Sequence, residues 1–170
     1  MNEHDTDERY EKSFQDWLGH LYDALDFPDP AAPPAWVRQM FEANSGLPAD
    51  AFAQLAFGRR LKNIEEAFVR VAGTARARTG IEIPLDFEIE EPSDESPVGL
   101  ASFAGSAIWA AEPPKVYVDA AEVVQTYLAD RHRTAWPLCP DHRTGTHPKL
   151  VLGQAVWWCA AGAHESEAVC

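Results

Sequence analysis

Four side chains toward the end of the sequence limit how this chain folds more than any other feature. Cys139-Pro-Asp-His142 is a C-x2-H pair and Cys159-x4-His164 is a second pair, and between them lies "KLVLGQAVWW". Two apolar runs joined by Gly153-Gln154 read as a β-hairpin, because glycine first in a two-residue loop suits a type II′ turn. With one pair at the hairpin's entrance and the other at its exit, four nitrogen and sulfur donors meet at one end of a short ribbon. Thiolate and imidazole in a tetrahedral set are what Zn2+ prefers. A ribbon of roughly thirty residues cannot bury enough core to hold itself, which is where a structural metal contributes most. Zn2+ is therefore the expected cofactor, held by Cys139, His142, Cys159 and His164, with His147 as an alternative to His142. Cys170 reads as an exposed thiol.

Upstream, the apolar spacing sets the elements. Phe14, Trp17, Leu18, Leu21, Tyr22 and Leu25 form one stripe of a helix, which the proline run "PDPAAPP" ends. "AWVRQMFEAN" reads as a short helix with Trp36, Val37, Met40 and Phe41 on one side. "PADAFAQLAFG" reads as another, ended or bent near Gly58. The clearest long helix is "RRLKNIEEAFVRVAGTARARTG", with Leu61, Ile64, Phe68, Val71 and Ala75 on one face and Gly80 placed to stop it. "IEIPLDFEIE" alternates throughout and predicts a strand over 81–90, on a sheet edge because Pro84 withholds a ladder donor. "SFAGSAIWAAE" and "KVYVD" read as two further strands, and "DAAEVVQTYLADRHR" as a helix with Asp119 as N-cap. The fold class expected is α+β: a helix-rich N-terminal half, a small antiparallel sheet, one further helix and a C-terminal zinc-ribbon-like β-hairpin. Residues 1–9 are expected to be a disordered acidic stretch, 10–134 an α+β domain and 135–170 the zinc-ribbon-like tail.

Residues 136–159, "WPLCPDH…HPKLVLGQAVWWC", resemble the C-terminal tail of many small actinobacterial proteins of uncharacterised function. Those tails share a W-P-x-C-P-x-H opening, a following H-P and a G-x-A-V-W-x-C exit. The resemblance covers about a seventh of the 170 residues. The exit in those tails often continues as Cys-Pro, where this chain has "CAAGAH". The resemblance implies a recurring module and carries no activity or substrate.

The sequence offers no catalytic set. "HESEA" opens like the H-E-x-x-H of metalloproteases, but Ala168 stands where the second histidine belongs. "PLCPDH" has His142 where a zinc deaminase has its second cysteine, and no H-x-E precedes it. A G-x-S-x-G elbow, a Walker phosphate loop and a G-x-G-x-x-G turn are all missing.

Charge decides the class of partner. The net charge is −13, so phosphate backbones and anionic membranes are repelled rather than bound. Residues 1–50 carry eleven acids against three bases, and residues 82–95 seven acids with no base. The expected partner is another protein, a basic one where the acidic faces do the steering. Trp136, Trp157 and Trp158 are the candidate contact residues, since tryptophan is enriched at interface hot spots. The opening lacks the apolar h-region of a secretory signal, and no stretch reaches the roughly 18 apolar residues of a membrane span. Few cysteines and no export signal place the chain in the cytoplasm. The reading these features favour is a non-enzymatic interaction or adaptor protein. A metal-dependent hydrolase and an acidic inhibitor (an immunity protein or a nucleic-acid mimic) are the alternatives.

Overall fold

The structure, a computed structural model, describes residues 3–25, 35–44, 46–91, 93, 99–108, 110 and 113–169. It is a mixed helix and sheet protein. Its elements run α1 (Glu3–Leu25), α2 (Ala35–Asn44), α3 (Ala49–Thr79), β1 (Phe87–Glu90), β2 (Leu100–Phe103), β3 (Ser106–Ile108), α4 (Pro113–His132), β4 (His147–Val151), β5 (Gln154–Cys159) and β6 (His164–Ala168). The three-stranded antiparallel sheets are ordered β1-β2-β3 and β4-β5-β6. None of the helices is long and apolar enough to cross a membrane, among the described residues.

The chain divides into two compact units, residues 1–57 with 91–99, and residues 58–90 with 100–170. This differs from a boundary at 134/135, because the tail belongs to the second unit. In the first unit Phe14, Trp17 and Leu18 of α1 are buried with Val37 and Phe41 of α2 and Phe52 of α3. Their rings meet edge-on or tilted, Phe14 to Phe41 at 5.3 Å and Trp17 to Phe52 at 5.4 Å between centroids, in the offset arrangements aromatic quadrupoles favour. Arg38 lies 4.0 Å above the Phe14 ring and pairs with Glu11 at 2.9 Å. The helix α1 already runs at Glu3, inside the stretch expected to be disordered. Leu21, Tyr22, Leu25 and Trp36 of the expected stripes fall outside the described side chains, and "PDPAAPP" outside the described residues.

The second unit has one continuous core. Ile64, Phe68, Val71 and Ala75 of α3 pack with Phe103 and Ile108 of the first sheet, Val116, Val124 and Leu128 of α4, and Trp136 and Trp157 of the tail. Arg78 of α3 holds Glu167 of β6 through both terminal nitrogens of its guanidinium, the Nη2 to Oε2 bond measuring 2.7 Å. The tail is thus docked on the same core as the helices. Such docking supplies the burial that a ribbon of this size lacks.

Several expectations are corrected here. The helix α3 passes through Gly58 unbroken, since an isolated interior glycine costs only about 1 kcal/mol relative to alanine. Residues 81–86 are not strand: pairing begins at Phe87, after Pro84. Ile83 is still buried in the core, whereas Leu85 and Ile89 are exposed. "SFAGSAIWAAE" contributes to two strands, not one. Ala104 and Gly105 turn between them with φ 49° and 82°, positive at both central positions as a type I′ turn requires. "KVYVD" is helical, because Pro113 and Pro114 open α4, and proline is favoured in a helix's first turn, where its missing N–H is not needed. Asp119 is therefore inside α4 and not its cap; its Oδ2 accepts the Ala110 N–H at 3.0 Å. The tail is a three-stranded meander, since "HESEA" pairs with β5 as β6. Its first hairpin closes on Val151 and Gln154. The loop residues are Leu152 and Gly153, at φ 48° and 80°, so the turn is type I′ rather than type II′.

Candidate metal centre

Two loops of the same local build bring the four expected donors together. The first runs from Cys139 to Thr144, closed by a Cys139 N–H bond to the Thr144 carbonyl at 2.9 Å. The second runs from Cys159 to His164, which face each other across β5 and β6. Each begins on its cysteine, and in each the fifth residue is left-handed, Arg143 at φ 54° and Ala163 at φ 49°. Each cysteine sulfur accepts N–H groups from the third and fourth residues, Asp141 and His142 in one loop and Ala161 and Gly162 in the other. The loops differ in where the second donor sits. It is the fourth residue, His142, in the first loop and the sixth, His164, in the second.

This offset explains Gly162. It stands where the first loop carries His142, and an added Cβ would lie 2.4 Å from His142 Cε1 and 2.6 Å from His164 Cδ2. Only a residue without a side chain lets both rings approach. Thr144, the counterpart of His164, places its hydroxyl 3.8 Å from Cys159 Sγ.

The donor atoms of Cys139, His142, Cys159 and His164 all lie within 4.8 Å of one another, close enough to bind a metal ion. Cys139 Sγ is 3.5 Å from His142 Nδ1 and 3.6 Å from His164 Nε2. Cys159 Sγ is 3.6 Å from His142 Nδ1. Both sulfurs are fully buried, His164 is half-buried and His142 is exposed. The Nδ1 of His164 lies 2.9 Å from the Glu165 carbonyl, a contact that directs the other ring nitrogen to the cluster. Burial pushes the Cys139 thiol up, but the N–H groups of His142 and Asp141 outweigh it and leave the pKa below its ordinary value. Cys159 is likewise raised by burial and lowered further by the Gly162 N–H. The Glu165 carbonyl, and then Cys139, raise His164. Both sulfurs are thus biased toward thiolate, the form that binds metal.

α4 positions the first loop from behind. The Gln125 amide donates to the Trp136 carbonyl at 2.8 Å and to the Thr146 carbonyl at 2.7 Å, holding the chain on both sides of the loop. Thr146 is fully buried and donates through its N–H and hydroxyl to the Pro137 carbonyl. Comparison with protein-family models, with curated proteins and with solved structures gives no match to this chain, so the site is read from its own chemistry.

His147 is not among the four grouped donors; it is exposed on β4, opposite Trp158. The three tryptophans separate as strand alternation requires. Trp157 is 1% exposed and meets Trp136 edge-on at 5.0 Å. Both are given over to packing, so neither presents its ring to a partner. Trp158 is half-buried on the other face, with the Lys149 amine 4.4 Å above its ring. Gly162, Gln125 and Thr146 escaped the sequence reading. Gly162 alone had a signal, its place as the fourth residue of a loop whose counterpart carries a donor histidine at that position.

Proposed function

We propose that the protein is a non-enzymatic interaction or adaptor protein whose last sheet is a zinc-ribbon-like module, with one structural Zn2+ held by Cys139, His142, Cys159 and His164. The spacing of the donors carries this reading. Tetrahedral zinc with Zn–S near ~2.3 Å and Zn–N near ~2.0 Å sets sulfur and nitrogen about 3.5 Å apart, and the three separations here are 3.5, 3.6 and 3.6 Å. Four protein donors complete a tetrahedron, whereas a catalytic zinc keeps one position for water. The hydrolase alternative draws on Asp141, whose carboxylate is exposed and 4.0 Å from His164 Nε2. That position suits a solvated surface acid better than a general base. The acidic-inhibitor alternative rests on the net charge of −13.

A cytoplasmic location and a protein partner belong to the same proposal, as does kinship with the small actinobacterial proteins whose tails carry the W-P-x-C-P-x-H opening. Elemental analysis after gel filtration is expected to find about one zinc per chain, lost in Cys139→Ser. Metal content near zero in protein never exposed to chelator would remove the reading. Capture of partners from the host is then expected to weaken with Trp158→Ala. Partners held unchanged by Trp158→Ala and by Cys139→Ser would sink the adaptor role.

A further inference from the structure

Along α4, two adjoining hollows of about 320 Å3 each share Ser106, Val123 and Thr126. They form a groove with α4 as one wall and β3, the outer strand of its sheet, as the other. Ala107 of β3 lines one hollow, so an extended chain can lie beside the strand there. The helix wall is acidic. Asp119 is engaged by the Ala110 N–H, but Glu122 and Asp130 are exposed and have no ion-pair partner among the described residues. Arg131 lines the groove beside Asp130. Past Asp130 a third hollow of about 350 Å3 is lined in part by Trp136. The indole N–H of that buried side chain has no acceptor among the described residues.

We infer that this groove binds an extended basic segment of a partner protein. The inference deepens the interaction reading and takes from it only that the partner is a protein. Glu122 and Asp130 are eight residues apart on α4, a rise of about 12 Å along the helix at ~1.5 Å per residue. An extended chain covers that distance in about four residues, and its side chains i and i+4 share a face. The groove therefore selects Lys or Arg at i and i+4. Arg131, one residue beyond Asp130 along α4, disfavours a further base past i+4. Backbone pairing beside β3 supplies the remaining affinity, as in strand addition to a sheet edge.

The test uses the full-length protein and fluorescein-labelled synthetic peptides in anisotropy titrations. One peptide carries lysines at i and i+4 with serine at i+2; a second has the same composition with its lysines adjacent. The spaced peptide is expected to bind more tightly. Glu122→Gln and Asp130→Asn are each expected to weaken it about three- to fivefold, the range of a single exposed ion pair. Glu88→Gln, which removes an acid of β1 from outside the groove, is expected to leave binding unchanged. Equal binding of the two peptides, or equal loss in Glu88→Gln, would overturn the groove. That result would not touch the zinc and adaptor reading, which stands or falls on metal content and on capture by the tail.

Discussion

Two imidazole rings occupy the space where a side chain at Gly162 would stand. Gly162→Ala is expected to displace both, at an overpacking cost on the order of 1–3 kcal/mol. The readout is faster transfer of metal to a chromophoric chelator, together with a lower melting temperature. Gly58→Ala is the matched control: nothing lies within 4 Å of its Cβ position, so metal transfer stays as it is and α3 gains about 1 kcal/mol. At this scale the donors were legible, because cysteine and histidine are scarce here and their pairs bracket a predictable hairpin. Gln125 was not, since a helical glutamine looks the same whether it faces water or holds two loop carbonyls. The tryptophans were half legible. Alternation puts Trp157 and Trp158 on opposite faces, but which face meets a core depends on α4. Trp157→Ala is expected to destabilise the protein by about 3–5 kcal/mol in denaturant unfolding.

Among the elements, turns offer the sharpest prediction. Leu152 is fully exposed at φ 48°, so it carries left-handed strain with no packing to offset it. Leu152→Asn creates Asn-Gly, the preferred type I′ pair, and is expected to stabilise the hairpin by about 1 kcal/mol in thermal unfolding. A second prediction concerns the pairing of α1 with α2. Arg38, and then Gln15, hold the Glu11 carboxyl below its ordinary value. A depressed carboxylate contributes stability that is complete above the unfolded-state pKa and disappears as pH falls through the folded-state value. Glu11→Gln is therefore expected to lower stability slightly near neutrality and to converge with the wild type at low pH, which flattens the acid limb of the profile. Helices were read well where their apolar stripe was long. "KVYVD" misled because Val116 and Val118 alternate like a strand over five residues. The period of α4 emerges only when Pro113 is taken as a start rather than a break.

For the whole molecule, what matters is that Trp136 and Trp157 belong to the core shared by α3 and α4. On the proposed reading, loss of metal is then not a local event. Chelation is expected to lower the melting temperature of the second unit, and zinc to restore it. Protons compete with zinc for thiolate and imidazole, so retention should fall as pH falls, in dialysis at stepped pH. The helical stripes of α1, α2, most of α3 and the later part of α4, and the β4–β5 hairpin, follow from apolar periodicity. The division into units does not, because it falls after Phe57, inside the unbroken helix α3, where the sequence pattern marks no boundary. The last strand has a mechanical consequence. β6 lies on the sheet's edge, with His164 of the donor cluster, the proposed metal anchor, at one end and Glu167 paired to Arg78 near the other. Pulled from its C-terminal side, such a strand peels, so its ladder bonds yield one after another under small force. The anchors yield separately. A force-extension trace should therefore rise first at the ion pair and again, higher, where the metal loop gives way.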